Sequence, residues 1–297
     1  MTPKACSTDD AADAQALANQ LSLKEKCMRA EPKKQSKRAA TQALFESFER
    51  DYEFILATKD QDRKKVFALR HEVFLRELHY NMREDSSHHL EQDEYDSTSI
   101  HCLIKHRASG LSAGCLRLVM PSQEEDSPLR RLPVEIHGRD HFNHPDITPY
   151  DLPKEELCEV SRLAIARPFR AHHSKEEPLP YGWDGYRFSE AEAKTFPLLA
   201  IGLFLCTYSL VGLTGRRHVF AMMEPRLPRL LALSGFHFTK VSETIVYHGI
   251  RNAYYIDHRK AEKEMHEDLM PLYLHIQRAL APQLDAAMPA MAADSLS

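Results

Sequence analysis

The run Glu91-Gln-Asp93-Glu-Tyr-Asp96 is followed by Arg117 in Gly114-Cys-Leu-Arg117-Leu and, further on, by Glu159-Val-Ser-Arg162. These acids and arginines stand beside apolar segments, where a carboxylate or guanidinium is costly to desolvate unless it meets an opposite charge or a ligand. Two chemistries suit such a set: a salt-bridge network that fixes a loop, or a pocket for a small charged molecule. Other constellations are missing. No glycine-rich phosphate loop and no G-x-S-x-G occurs, which excludes nucleotide kinases, dinucleotide-binding dehydrogenases and ordinary esterases. The 17 histidines, including His88-His89 and His172-His173, show no metal-ligand spacing, and the acidic run lacks the glycine and spacing of a calcium-binding loop, so no metal is expected.

The elements that must position these groups follow from apolar spacing. Residues 1–45 are rich in Ala, Lys, Gln and Ser, carry the basic cluster Lys33, Lys34, Lys37 and Arg38, and read as a flexible, partly helical arm. Residues 52–57 alternate as a strand, and Asp62 opens an amphipathic helix through Val66, Phe67, Leu69, Val73 and Phe74. Residues 100–104 and 113–119 read as a hairpin turned at Arg107-Ala-Ser-Gly110, residues 121–153 as loop, and 157–166 as a strand ended by Pro168. The uncharged stretch 195–215 is long enough to suggest a membrane helix, yet Pro197, Gly202 and Gly212 and the strand 217–223 behind it favour a buried helix. A short helix over 224–235, strands over 236–249 and 251–256, and an amphipathic helix with a frayed tail over 258–297 complete the chain. The succession is α/β of the mixed, α+β kind, with a core domain over 46–257.

Composition narrows the class further. With 43% hydrophobic and 28% charged residues in 297, the chain can bury a core. A formal net charge of -4 argues against a nucleic-acid partner. Six cysteines without a C-x-x-C pair fit reduced thiols, and Asp9, Asp10 and Asp13 interrupt any signal peptide, so a cytoplasmic protein is expected.

Arg70-His-Glu-Val-Phe74, Tyr80, Glu91-x-Asp93-x-x-Asp96, Arg117-Leu118 and Glu159-x-Ser161-Arg162 resemble, in order and spacing, the signature of acyl-homoserine lactone (autoinducer) synthases. The acidic run followed by Ser99-Ile-His101 is more closely similar to the N-acyl amino acid synthases and the acyltransferases associated with PEP-CTERM/exosortase systems. The resemblance spans about residues 53 to 257. It implies a GNAT-like fold, a splayed mixed central sheet flanked by helices, with an acyl-phosphopantetheine thioester of acyl carrier protein as donor and no bound cofactor. Two departures bear on the acceptor: Tyr80 replaces a tryptophan, and Pro121-Ser122-Gln123 replaces a Pro-Thr-Thr run, both at positions associated in the lactone synthases with S-adenosylmethionine. After Ala166, Arg167-Pro-Phe-Arg170 stands where acetyltransferases carry a pyrophosphate loop, which argues against coenzyme A.

The implied reaction is transfer of a fatty acyl group to the amine of an amino acid or related small molecule. Glu159 is then the candidate base, or a partner of Arg162 or Arg117; Ser161 protonates the leaving thiolate or only bonds locally, and Arg162 completes the catalytic set. Arg70 and Arg117 hold an acceptor carboxylate or brace the acidic loop, with Glu91, Asp93, Asp96 and Tyr80 beside them. Phe74 and the helix 196–211 line an acyl tunnel or pack the core. Arg167, Arg170, Arg216 and Arg217 are expected to dock an acidic carrier protein. No transmembrane segment is expected, and peripheral membrane contact is compatible with the sequence. Lactone synthesis from S-adenosylmethionine and a non-catalytic acyl-binding protein are the alternatives.

Overall fold

The computed structural model describes residues 38–170 and 186–294, with side chains to 287. The basic cluster up to Lys37 and the pair His172-His173 lie outside the described residues. The chain divides into two compact units, Met1–Glu46 and Ser47–Ser297. A helix, α1, runs over residues 38–51.

The second unit is built on one mixed sheet. In chain order, β1 (Tyr52–Leu56) leads to α2 (Asp60–Arg70), which continues as a wider π-helical turn, His71–Glu77. A two-stranded ribbon, β2 (Glu84–Asp85) and β3 (Leu90–Glu91), and a 3-10 turn, Glu94–Thr98, precede β4 (Ser99–His106) and β5 (Ser112–Val119). Then come α3 (Pro133–His137), β6 (Leu157–Ile165), α4 (Glu190–Ala193), α5 (Leu198–Leu213) and β7 (His218–Met223). The remainder is α6 (Leu227–Ala232), β8 (Thr239–Lys240), β9 (Ile245–Val246), β10 (Ile250–Asp257), α7 (His258–Glu264) and α8 (Met270–Asp294). The strand order is β1-β4-β5-β6-β7-β10-β8, with β9 on β10. Among the described residues only β6 and β7 pair in parallel, because α5 supplies the crossover between them.

Both faces are covered. α5 buries eleven of its sixteen residues, as expected of a helix apolar all round. None of the described helices is long and apolar enough to cross a membrane. α8 buries Leu272, Ile276, Leu280 and Leu284, a four-residue repeat that places one face against the sheet. Its Gln283 amide takes the Leu56 N–H (2.9 Å) and donates to the Phe54 carbonyl (2.9 Å), so the exposed edge of β1 is capped by a side chain.

Three segments differ from the pattern read in the sequence. Residues 258–297, read as one helix with a frayed tail, hold α7 and α8, separated by a 3-10 turn at Glu267–Leu269, and α8 continues to Asp294. Residues 121–153 hold a 3-10 turn at Pro128–Arg130 and α3, opened by Pro133 at its first turn. Residues 236–249 are two short strands rather than one. Val241 still donates its N–H to the Ala253 carbonyl of β10 (3.0 Å), but its own carbonyl takes the Asn143 N–H (3.1 Å), Ser242 bridges to Phe142, and the Ser242 hydroxyl accepts the Ala253 N–H of β10 in place of a backbone carbonyl.

Candidate active site

The acidic run folds back on itself before it meets any arginine. Asp93 accepts from the Tyr95 N–H (3.0 Å), and Asp96 returns to accept the Asp93 N–H (2.9 Å), a capping box that fixes the Glu94–Thr98 turn. Arg70 reaches this turn because it follows Val66 by one helical turn on the buried face of α2. Its Nε donates to Glu91, and its Nη1 and Nη2 donate to the two oxygens of Asp96 (2.7 and 3.0 Å). Arg117 on β5 donates to Asp93 and Asp96 (2.8 Å to the latter), and its Nε donates to the Ser161 hydroxyl (3.0 Å). Arg162 on β6 donates to Asp93 (2.9 Å) and Glu91 (3.2 Å). Three carboxylates and three guanidiniums thus close a neutral, buried network. Burial alone would raise Asp96, but the charges and hydrogen bonds of Arg70 and Arg117 hold it well below the usual carboxylate range. His101 beneath it is pushed down to about 3, first by burial, and is neutral.

Next to the network, β6 is irregular on both sides. Cys115 pairs with Ala164 and Arg117 with Ser161, so two steps on β5 face three on β6, a β-bulge. Within it Arg162 takes a left-handed φ of 53°, a conformation that costs about 1–2 kcal/mol and is held here by the ion pairs to Glu91 and Asp93. On the other side, β7 pairs only with Leu157, Cys158 and Glu159. Beyond Glu159 the two strands part, and the β6 backbone there faces a gap rather than a strand.

Glu159 sits where the gap begins. Its carboxyl is 1% exposed and accepts the Val134 N–H of α3 at 2.7 Å, with no ion pair to Arg117 or Arg162. Burial pushes it up to about 8, against the Val134 hydrogen bond and the positive charges of Arg117 and Arg162. Glu135 anchors α3 from below: it accepts the Leu132 N–H (2.8 Å) and the Lys154 ammonium (2.6 Å). Lys154→Met should therefore loosen α3, weaken the Val134 bond to the charged form of Glu159 and raise its titration further. A carbon-13 NMR titration of labelled glutamates would detect the rise; an unmoved Glu159 signal would place α3 under other restraints.

A cavity of about 690 Å³ runs along the gap. Its polar end is walled by Asp93, Arg117, Glu159, Ser161 and Arg162, its apolar arm by Phe204, Tyr208, Val211, Ala221 and Phe236. Phe74 and Tyr80 also line it; Tyr80 stacks between Phe74 and His248 (6.2 and 5.2 Å) and accepts from Arg251 (2.9 Å).

The residues singled out in the sequence fall into three groups. Glu159, Ser161, Arg162, Asp93, Arg117, Phe74 and Tyr80 share the cavity wall. Arg70, Glu91 and Asp96 lie behind it; Arg70 is fully buried and engaged by Glu91 and Asp96, so it braces the acidic run instead of reaching an acceptor carboxylate. Arg167 and Arg170 follow the end of β6, whereas Arg216 and Arg217 precede the start of β7, with the Arg217 N–H on the Glu156 carbonyl. Parallel pairing brings the two strand starts together, so β6's nine residues, roughly 25–30 Å, separate the pairs and the four arginines form no single patch. Arg170 is further tied to Glu77, and Arg217 to Asp257. Sequence reasoning missed Val134, His137, Tyr247 and His248, which come from the segment read as loop and from the β9–β10 turn; Pro133 ahead of Val-Glu-Ile-His was the one available signal for α3.

Residues 69–176 match the acetyltransferase (GNAT) domain family. Together with the splayed mixed sheet, this defines the class of protein: an acyltransferase on the GNAT fold. No curated protein matches the sequence. Solved structures similar in shape include a CoA-dependent acyl-homoserine lactone synthase, BjaI, with SAM and isopentyl-CoA (20% identity, TM-score 0.49, covering 76% of this chain and 89% of that one). Another is FeeM, an N-acyl amino acid synthase from uncultured soil microbes (10% identity, TM-score 0.44, covering 72% and 94%). The acyl-homoserine lactone synthase LasI is a third (14% identity, TM-score 0.45, covering 70% and 90%).

Proposed function

We propose that this protein is a cytoplasmic N-acyltransferase that moves a fatty acyl group from the phosphopantetheine thioester of acyl carrier protein to the amine of an amino acid or related small molecule. The observation that carries this reading is the single cavity joining a buried carboxyl of raised pKa, through the strand gap, to an apolar arm. A thioester laid along the gap puts its acyl chain among Phe204, Val211 and Phe236 and its carbonyl against β6.

The acceptor enters at the polar end as an ammonium, and the raised range of Glu159 brings its proton affinity closer to that of an amine than an ordinary carboxylate's. Glu159 takes a proton, the neutral nitrogen attacks the thioester carbon, and the oxyanion meets β6 backbone N–H groups left unpaired by the bulge and the gap. The tetrahedral species collapses with cleavage of the carbon–sulfur bond; the second amine proton passes to the leaving thiolate through solvent, and an amide and a free thiol result. Ser161, occupied by Arg117, serves to hold that arginine, and Arg162 shapes the bulge.

A carrier protein is favoured over coenzyme A because the turn after β6 engages two of its own backbone N–H groups, which are thereby turned from a pyrophosphate: Phe169 N–H bonds Ala166 O and Arg170 N–H bonds Arg167 O, each at 3.0 Å. Arg167 and Arg170 stand at the open end of the gap and are the arginines that would meet the carrier. Mass spectrometry of lipid extracts from cells expressing the protein tests the reading: an acyl amide is expected, while a lactone or no new acyl species would refute it.

The apolar arm also predicts chain-length control. Ala221→Leu adds three carbons to the wall and should disfavour the longest accepted donors. Each displaced methylene forfeits ~0.8 kcal/mol, so discrimination of tenfold or more is expected against chains two carbons too long. Competition between donors of different length would measure it, and an unchanged preference would place the chain elsewhere.

A further inference from the structure

The four most exposed large apolar side chains among the described residues are Val246 (84%), Leu233 (82%), Leu230 (62%) and Ile250 (61%). They belong to two elements. Leu230 lies on α6 and Leu233 is its C-terminal cap three residues on, so both share a helical face, while Val246 and Ile250 are register partners across the β9–β10 ribbon and share a face of it. Arg226 and Leu230 line the cavity, and Arg226 with Ile250 lines a shallow recess beside it. An ion pair between Glu224 and Arg251 (3.0 Å) ties the two elements together at that opening. Leu78, 43% exposed, lines the cavity as well. Arg226, Arg229 and Lys240 are exposed around these side chains and enter no ion pair among the described residues.

We propose that this face docks the protein on an anionic lipid bilayer, with α6 and the β9–β10 tip inserted at the headgroup boundary and the acyl cavity opening toward the lipid. Charge complementarity carries the choice: three unpaired cations flank the apolar side chains, the pattern of a surface that binds anionic headgroups while burying its leucines below them. The shape agrees. Side chains standing free from a short helix and a hairpin tip fit a fluid medium, whereas a folded partner would need matching pockets. A bilayer at this opening would also receive an acylated product without its passage through water.

The test uses the full-length protein and flotation with phosphatidylcholine vesicles, with and without one third phosphatidylglycerol, at low salt. Wild type is expected to float with the anionic vesicles and to be released by salt. Leu233→Ser/Val246→Ser should weaken binding by roughly tenfold or more, and Arg226→Glu/Arg229→Glu by more than about fivefold for each cation lost. Leu274→Ser, at a 39% exposed position on α8, should leave it unchanged. Binding that survives in both double variants would assign membrane contact to another part of the chain, such as the basic cluster at Lys33–Arg38, and overturn the proposal. Absence of vesicle binding, with the same variants abolishing capture of acyl carrier protein, would give the face to a protein partner and equally overturn it.

Discussion

Glu159→Gln is expected to cut kcat/KM by two to four orders of magnitude, the range of a lost general base, while making the protein more stable at alkaline pH. Both effects have one cause. Burial raises the carboxyl to about 8 from an ordinary value of 4.5, so the folded chain holds a proton that the unfolded chain releases. Stability from this group is complete below about pH 4.5 and is lost as pH rises toward 8, at about 1.4 kcal/mol for each tenfold change in proton activity. A neutral glutamine keeps the Val134 hydrogen bond and escapes that loss, so the variant should exceed wild type by several kcal/mol at pH 9 and match it near pH 5. In the wild type, activity should climb with pH through the same range, because only the deprotonated carboxyl accepts the acceptor's proton. Urea unfolding at the two pH values and a pH profile of kcat/KM would check this. A variant with unaltered turnover, or with no gain at pH 9, removes Glu159 from the role given to it.

Arg70→Leu should destabilise the protein by about 3–5 kcal/mol, since it strips Glu91 and Asp96 of a cation inside a closed network and leaves charge buried without its partner. Asp96 supplies a pH signature. Its carboxyl is held below the usual range by Arg70 and Arg117 against the opposing effect of burial, so its contribution is present above about pH 4 and disappears as the pH falls below it. Wild type should therefore lose stability steeply on acidification, and Asp96→Asn, already deprived of the term, should lose less. Denaturation midpoints between pH 7 and pH 3 would measure both. A cost below about 1 kcal/mol for Arg70→Leu would mean the network relaxes around the change like an exposed pair.

Much of the sheet was legible because β1 alternates and the central strands, buried on both faces, read as continuous apolar runs. β1, β4, β5, β6 and β7 lie where their apolar runs end, and α5 where charge is absent over 195–215. The region 236–249 was not legible, since its break depends on a bridge from residues 142–143 that competes for backbone groups, and nothing local signals a competitor a hundred residues away. Arg70 illustrates the same limit within the site. Its type and neighbours suit either carboxylate recognition or bracing, and only the arrival of Glu91 and Asp96 on the same guanidinium decides between them.

The charge-balanced set of acids and arginines and the strands that carry them were readable from the chain alone, because residue type and periodicity are local properties, whereas the GNAT fold was implied by resemblance to a family. The tertiary structure decided that Glu159 stands apart from the network rather than within it. Ionic partners are chosen by distance, and Asp93, Asp96 and Glu91 reach Arg117 and Arg162 first, which leaves Glu159 a backbone N–H from α3 and a raised pKa. It likewise separated the four arginines flanking β6 and β7: strand ends that adjoin in the sequence pattern fall at opposite ends of the sheet once the pair is parallel.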